Sequence, residues 1–310
     1  MNIILANPRG FCAGVDRAIE ITNNALTLFG PPIYVKHEIV HNNFVINDFK
    51  KKGVVFIENI EQVPEHSILI YSAHGVSQKI VKISNDRNLK IFDATCPLVT
   101  KVHMEVLKLS EKKINTILIG HKKHPEVEGT LGRYSSSESN IILVENINDV
   151  ENLNFNVDDE VAYVTQTTLS IDDTKEIIDF IKSKYKKLNE PNRADICYAT
   201  TNRQNAVKEL TKICDIILIV GSENSSNSNR LKEISIRSGV PSYLIDCAND
   251  LNVNWLINKK NLGLTAGASA PEFLVQSIID KLKNFGFSNI INSEGIKENV
   301  VFKIPKELIS

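Results

Sequence analysis

The chain has 310 residues, enough for one large domain or two to three small ones. At that length about three-quarters of the unfolded surface can be buried without a disulfide or zinc staple. Hydrophobic residues make up 42% and charged residues 24%, the composition of a folded globular protein. Lys and Arg total 36 against 37 Asp and Glu, so the net charge of −1 gives no electrostatic basis for nucleic acid or an anionic membrane as the main partner.

Residues 1–9 run straight into a strand-like segment, without a basic leader or a long apolar stretch. No apolar run approaches the roughly 18 residues that cross a bilayer, so no membrane span is expected. Five cysteines, odd in number and widely spread, fit an intracellular protein with reduced thiols, and the expected setting is cytoplasmic. Along the chain, strand-length apolar runs alternate with amphipathic stretches of helical length, which predicts an α/β fold with small, mostly parallel sheets. Six runs, at 33–35, 68–71, 117–119, 161–164, 216–220 and 262–264, each end in a polar loop. Such loops, at the carboxyl ends of parallel strands, are where open α/β sheets bind ligands.

The cysteines and loops keep a common order. Cys12 precedes His41 by 29 residues, Cys96 precedes His124 by 28, and Cys197 precedes Ser225 by 28. From the same cysteines His74, Thr167 and Ser269 follow at 62, 71 and 72. This reads as a diverged internal repeat with a period of 84 to 101 residues. The expected units are 1–94, with the N-terminal strand and Cys12, then 95–193 and 194–285, leaving a tail at 286–310.

Cys12, Cys96 and Cys197 each fall at the predicted start of a helix, where the dipole favours a thiolate. Zinc in structural sites takes four ligands with paired spacing, and no C-x-x-C pair is present. Three thiolates suit a 4Fe–4S cluster with one iron left open for a substrate oxygen. Three buried core cysteines are the alternative, and the one to favour for any single residue. Cys214 and Cys247 lie outside the repeat and read as inert thiols.

Polar residues of the loops supply candidates for substrate. His41, His74 and His124 lie in loop contexts, whereas His66 and His103 read as surface or core residues. Ser225, Ser226 and Asn227 offer hydroxyls and an amide at a helix start, an arrangement suited to an anion, and Ser269 precedes Ala270 and Pro271 similarly. An N-cap accounts for one of these residues rather than for the run. Glu126 is a candidate acid, because a carboxyl in a partly dry site can hold a proton near neutral pH. The stretch 37–41 matches H-E-x-x-H literally and keeps a zinc hydrolase using His37 and His41 as an alternative, but a strand runs directly into it. No nucleotide-binding glycine motif is present.

These motifs resemble one family over essentially the whole chain, the 4-hydroxy-3-methylbut-2-enyl diphosphate reductases of the non-mevalonate isoprenoid pathway. The landmarks are PRGFCAGV at 8–15, SAHGVS at 72–77, DATCP at 93–97, HPE at 124–126, TQTT at 165–168, CYAT at 197–200, SSN at 225–227 and GASAP at 267–271. The resemblance implies three similar α/β units in a pseudo-threefold trefoil around one 4Fe–4S cluster ligated by Cys12, Cys96 and Cys197. It implies that His41, His74, His124, Ser225, Ser226, Asn227 and Ser269 bind the diphosphate, with Thr167 near the substrate hydroxyl and Glu126 as proton donor. The reaction implied is reductive dehydroxylation to isopentenyl and dimethylallyl diphosphate. The electrons are expected from ferredoxin or flavodoxin with an NADPH-dependent reductase. A redox-neutral hydro-lyase using the same open iron, or a non-enzymatic iron–sulfur sensor, are the other readings of a three-cysteine chain.

Overall fold

A computed structural model describes residues 1–309. Among these, thirteen strands and ten α-helices alternate. The strands are β1 (Asn2–Leu5), β2 (Ile33–Lys36), β3 (Val54–Ile57), β4 (Ile68–Tyr71), β5 (Lys90–Asp93), β6 (Asn115–Ile119), β7 (Ile141–Val144), β8 (Glu160–Thr165), β9 (Lys187–Asn189), β10 (Ile216–Val220), β11 (Ser242–Ile245), β12 (Asn261–Ala266) and β13 (Asn289–Asn292). The helices are α1 (Ala13–Phe29), α2 (Asn43–Lys51), α3 (Gln78–Asp86), α4 (Pro97–Glu111), α5 (Pro125–Leu131), α6 (Ile147–Glu151), α7 (Ile171–Lys184), α8 (Tyr198–Thr211), α9 (Ser226–Arg237) and α10 (Glu272–Lys283). No helix is long and apolar enough to cross a membrane among the described residues.

The strands form three sheets in the orders β3-β2-β4-β5, β7-β6-β8-β9 and β11-β10-β12-β1-β13, with every pairing parallel. Strands buried on both faces read as unbroken apolar runs, and the inner strands do: all five residues of β10, IILIV, are buried. Outer strands are half-exposed, as in β3 and β9, or fully exposed, as in β13.

The chain divides into two compact units. One comprises 1–16, 41–48 and 198–301 and holds the five-stranded sheet; the other comprises 17–40, 49–197 and the chain from 302 onward and holds both four-stranded sheets. The N-terminal strand, placed by sequence order in the first unit, lies instead in the last sheet, between β12 and β13. The reason is visible in the ladder. Asn2 is in register with Asn261 and Asn289. Its amide donates to Asn261 Oδ1 at 2.7 Å and accepts from Asn289 Nδ2 at 2.8 Å. Ile3 and Leu5 are buried in the core beneath, among Ile216, Leu262 and Phe287. The segment beyond 285, expected as a tail, thus contributes a strand.

Helix faces follow the apolar spacing. Ala18, Ile21, Thr22 and Ala25 form the buried stripe of α1, and Val99, Val102, Val106 and Leu109 that of α4. Along α8 the stripe is mixed: Ala199, Ala206, Val207 and Leu210 are joined by buried Thr200, Arg203 and Gln204. A buried charge inside such a stripe calls for a partner.

Candidate active site

The three cysteines of the repeat occupy the same local position. Cys12 immediately precedes α1, Cys96 is the N-cap of α4 with Pro97 as the first helical residue, and Cys197 immediately precedes α8. Each is fastened by its own N–H to a loop that follows an inner strand. Cys12 donates to Ala268 O at 3.3 Å, Cys96 to Ala73 O at 3.0 Å and Cys197 to Thr167 O at 3.0 Å. None of the five cysteines is in a disulfide. Burial pushes the Cys12 thiol up, while the N–H groups of Val15 and Gly14 and the Arg203 guanidinium pull it down. Cys214 is buried and pushed up to about 12 by that burial, which keeps it a thiol.

In the unit with the four-stranded sheets, Glu126 and Thr167 form the most defined contact. Glu126 lies in the first turn of α5 and is 3% exposed. The Thr167 N–H donates to one carboxyl oxygen at 2.6 Å and its hydroxyl meets the other at 3.0 Å. Burial raises the Glu126 carboxyl to about 7, opposed by the two Thr167 contacts and assisted by Asp195. His124 caps α5, its Nδ1 accepting from Glu126 N–H at 3.2 Å, which leaves Nε2 as the proton-bearing nitrogen of the neutral ring. The His74 ring stands edge-on to His124 at 5.8 Å, with its Nδ1 3.3 Å from Ser72 Oγ. Gly75 lets this loop turn: its φ is +77°, and a Cβ there would meet His103 at 2.6 Å.

In the other unit, α9 begins at Ser226 and Ser225 caps it, its hydroxyl accepting from Ser228 N–H at 3.3 Å. Asn227 is buried. Its Oδ1 accepts from Ala268 N–H at 3.1 Å, which fixes the amide so that Nδ2 is the outward donor, and that nitrogen has no protein acceptor. Ser269 donates to His41 O at 2.7 Å, holding the loop after β12 to the start of α2. Ser228 lies against Gly221 and Gly267, whose missing side chains let the two loops close over it. A hydroxyl-rich helix start with a buried amide donor lacking an acceptor fits an anion.

The H-E-x-x-H match does not form a zincin helix. Residues 37–41 are a bent loop, His37 has a φ of +62°, and its Nδ1 lies 2.6 Å from Glu58. No set of three or more His, Cys, Asp or Glu is arranged to hold a single metal ion among the described residues. A cubane makes a different demand, one soft thiolate per iron, and the thiol set of Cys12, Cys96 and Cys197 suits it chemically.

Several side chains around these loops were not among the candidate residues. Gln166 is buried, accepting from His121 N–H and donating to Thr168 Oγ1, both at 2.9 Å. Asp195 is buried, its Oδ2 accepting from Thr165 N–H at 3.0 Å. Arg203, with no exposed surface, donates to Gly10 O, Phe11 O and Ala199 O and pairs with Glu298. The polar residues within the inward stripe of α8 were the available signal for Arg203.

An α/β protein with thiols, imidazoles, hydroxyls and one near-neutral carboxyl on its strand-end loops is matched closely by known proteins. The model of a family described as LytB protein matches residues 3–283. The 4-hydroxy-3-methylbut-2-enyl diphosphate reductase of Histophilus somni (strain 2336) is 56% identical over 308 residues, spanning 99% of this chain and 98% of its own. The reductase of that name from Haemophilus influenzae (strain PittEE) is similar to the same extent. Among solved structures, the E-1-hydroxy-2-methyl-but-2-enyl-4-diphosphate reductase of Plasmodium falciparum superposes with a TM-score of 0.95 at 44% identity, over 99% of this chain and 96% of that one. Another, described as the terminal enzyme of the non-mevalonate pathway, superposes with a TM-score of 0.65 at 33% identity, over 92% of this chain and 100% of that one. The chain belongs to the LytB protein family.

Proposed function

We propose that this chain catalyses the reductive dehydroxylation of 4-hydroxy-3-methylbut-2-enyl diphosphate. The allylic C–O bond breaks, two electrons and two protons are taken up, water leaves, and isopentenyl or dimethylallyl diphosphate forms. The observation that carries this reading is the buried Glu126 carboxyl gripped by Thr167 at 2.6 and 3.0 Å, in a chain 56% identical along its length to enzymes of that name.

Cys12, Cys96 and Cys197 would hold a 4Fe–4S cluster. When bound, the cluster supplies the electrons and an iron without a protein ligand as Lewis acid for the allylic oxygen. The chain's own groups do the rest. Glu126, near neutrality because it is buried, holds the proton that the departing hydroxyl needs. Thr167 orients that carboxyl through its N–H and hydroxyl. Asn227 Nδ2, Ser225, Ser226, Ser269 and the imidazoles of His41, His74 and His124 hold the diphosphate by donation. Donors to a charged acceptor contribute about 1.5–3 kcal/mol each, so a chain of net charge −1 can bind it without an arginine clamp. The electrons come from ferredoxin or flavodoxin with an NADPH-dependent reductase, and the setting is the thiol-reducing cytoplasm, a reading supported by five cysteines outside any disulfide.

The test is anaerobic preparation of the full chain. It should be brown, carry about four irons and four sulfides per chain, and consume two electrons from a reduced viologen per diphosphate converted. The Cys197→Ser variant should lose cluster absorbance and turnover. A colourless, iron-free chain that still turns over, or conversion that consumes no electrons, overturns the proposal.

A further inference from the structure

The same pattern of contact follows each cysteine of the repeat. Five residues beyond Cys12, on α1, Arg17 donates to Thr95 O at 3.0 Å and Asp93 O at 3.1 Å, in the segment that leads into Cys96. Five residues beyond Cys96, on α4, Lys101 donates to Arg193 O at 2.7 Å, Ala194 O at 3.3 Å and Asp195 Oδ1 at 3.0 Å, in the segment that leads into Cys197. Six residues beyond Cys197, on α8, Arg203 donates to Gly10 O at 2.7 Å and Phe11 O at 3.1 Å, in the segment that leads into Cys12. The connectivity is cyclic. A cation about one and a half turns into the helix that each cysteine opens grips the backbone just ahead of the next cysteine.

We propose that Arg17, Lys101 and Arg203 are positioning residues that fix the three cysteine segments for cluster binding. The proposal rests on the reading of Cys12, Cys96 and Cys197 as the cluster ligands. A segment entering a helix has no ladder of its own, and carbonyls there are satisfied from outside. Charge-assisted donors are stronger than neutral ones and hold such a segment in one place. The anchors are themselves held. Asp195, buried, bridges Lys101 to Thr165 N–H at the end of β8. Glu298 pairs with Arg203, and Arg17 also donates to Lys303 O at 2.8 Å. Composition alone does not account for the pattern. Other cations reach main-chain oxygens too, as Lys184 does at Val150 O and Glu151 O, but what sets these three apart is that each grips the segment just ahead of a cysteine from a matching offset.

The test compares the anaerobic full chain with Lys101→Met, Lys101→Arg and Ile181→Ala. Ile181 is buried in the core beside β6 and β8 and is neither a clamp cation nor one of its acceptors, so its truncation lowers stability while every clamp hydrogen bond keeps both partners. The readouts are thermal melting of the cluster-free protein, iron per chain, and the rate at which a chelator removes the cluster. Lys101→Met should lose its cluster about tenfold faster or more, as the removal of charge-assisted bonds implies. Lys101→Arg should restore the slow rate, and Ile181→Ala should melt earlier yet keep the slow rate. Arg17→Gln, at a partly exposed site, is measured alongside and should behave as Lys101→Met even if the latter does not fold. Unchanged rates in folded Lys101→Met or Arg17→Gln overturn the clamp alone, as does equal acceleration in Ile181→Ala at an equal loss of melting temperature. Absence of iron from the unaltered chain overturns the clamp together with the proposed function.

Discussion

Replacing Glu126 by Gln keeps the shape of the side chain and removes its titration. In the folded protein burial lifts the carboxyl from its ordinary 4.5 to about 7. Between those values the folded chain retains a proton that the unfolded chain has released. The stability contributed by the neutral carboxyl is therefore complete below the unfolded value and is lost as pH rises through about 7. At about 1.4 kcal/mol per pKa unit, and with no solvent around the group to screen it, the gap corresponds to about 3 kcal/mol. Glu126→Gln cannot ionise, so denaturant unfolding of the cluster-free proteins should show the variant gaining about 3 kcal/mol on the parent between mildly acidic and mildly alkaline pH. With Glu126 as the proposed proton donor, the parent's rate should fall on the alkaline side through about 7. The variant should keep its iron while losing roughly 10²–10⁴ in rate. A stability difference that stays constant with pH, or a parent rate with no alkaline limb, refutes the assignment of a proton to this carboxyl.

Gly75→Ala should cost about 2–4 kcal/mol in urea unfolding, from a left-handed backbone and a Cβ forced to 2.6 Å from His103. Unaltered stability would mean the His74 loop is looser than described. Asn227→Ala should raise KM for the diphosphate about tenfold or more with a smaller change in kcat, because it removes the Nδ2 donor. Asn227→Asp should raise it further, since Oδ1 can still accept from Ala268 N–H while the second oxygen repels the anion. If the Asn227→Asp variant binds the diphosphate as tightly as the parent, this residue has no part in the anion site.

All seven inner strands were legible in the sequence, because burial on both faces demands unbroken runs such as IILIV in β10 and ILIY in β4. The outer strands were not. NIIN in β13 is exposed throughout and KLN in β9 is too short to show a period. The sheet that takes β1 was illegible for a different reason: pairing depends on partners far along the chain, and Asn2 has no local feature that points to Asn261. Glu126 stood out by its neighbours His124 and Pro125. Its grip by Thr167, 41 residues on, and the burial that shifts its proton are tertiary facts. The three cations passed unnoticed because their acceptors are main-chain carbonyls, which any residue supplies. Only the offsets of five, five and six from the cysteines and, for Arg203, the polar stripe of α8 leave a trace. The H-E-x-x-H string is discounted because a strand runs directly into it, and the left-handed turn at His37 agrees with that reading.

The placement of β1 dictates an order of assembly. Its two neighbours in the sheet stand 259 and 287 residues further along the chain. A growing chain therefore carries Cys12 beside an unpaired strand until β12 and β13 have been made, and contacts of such long range form slowly. By the same logic, deleting residues 2–5 removes an inner strand of the five-stranded sheet, and deleting 289–292 removes its border.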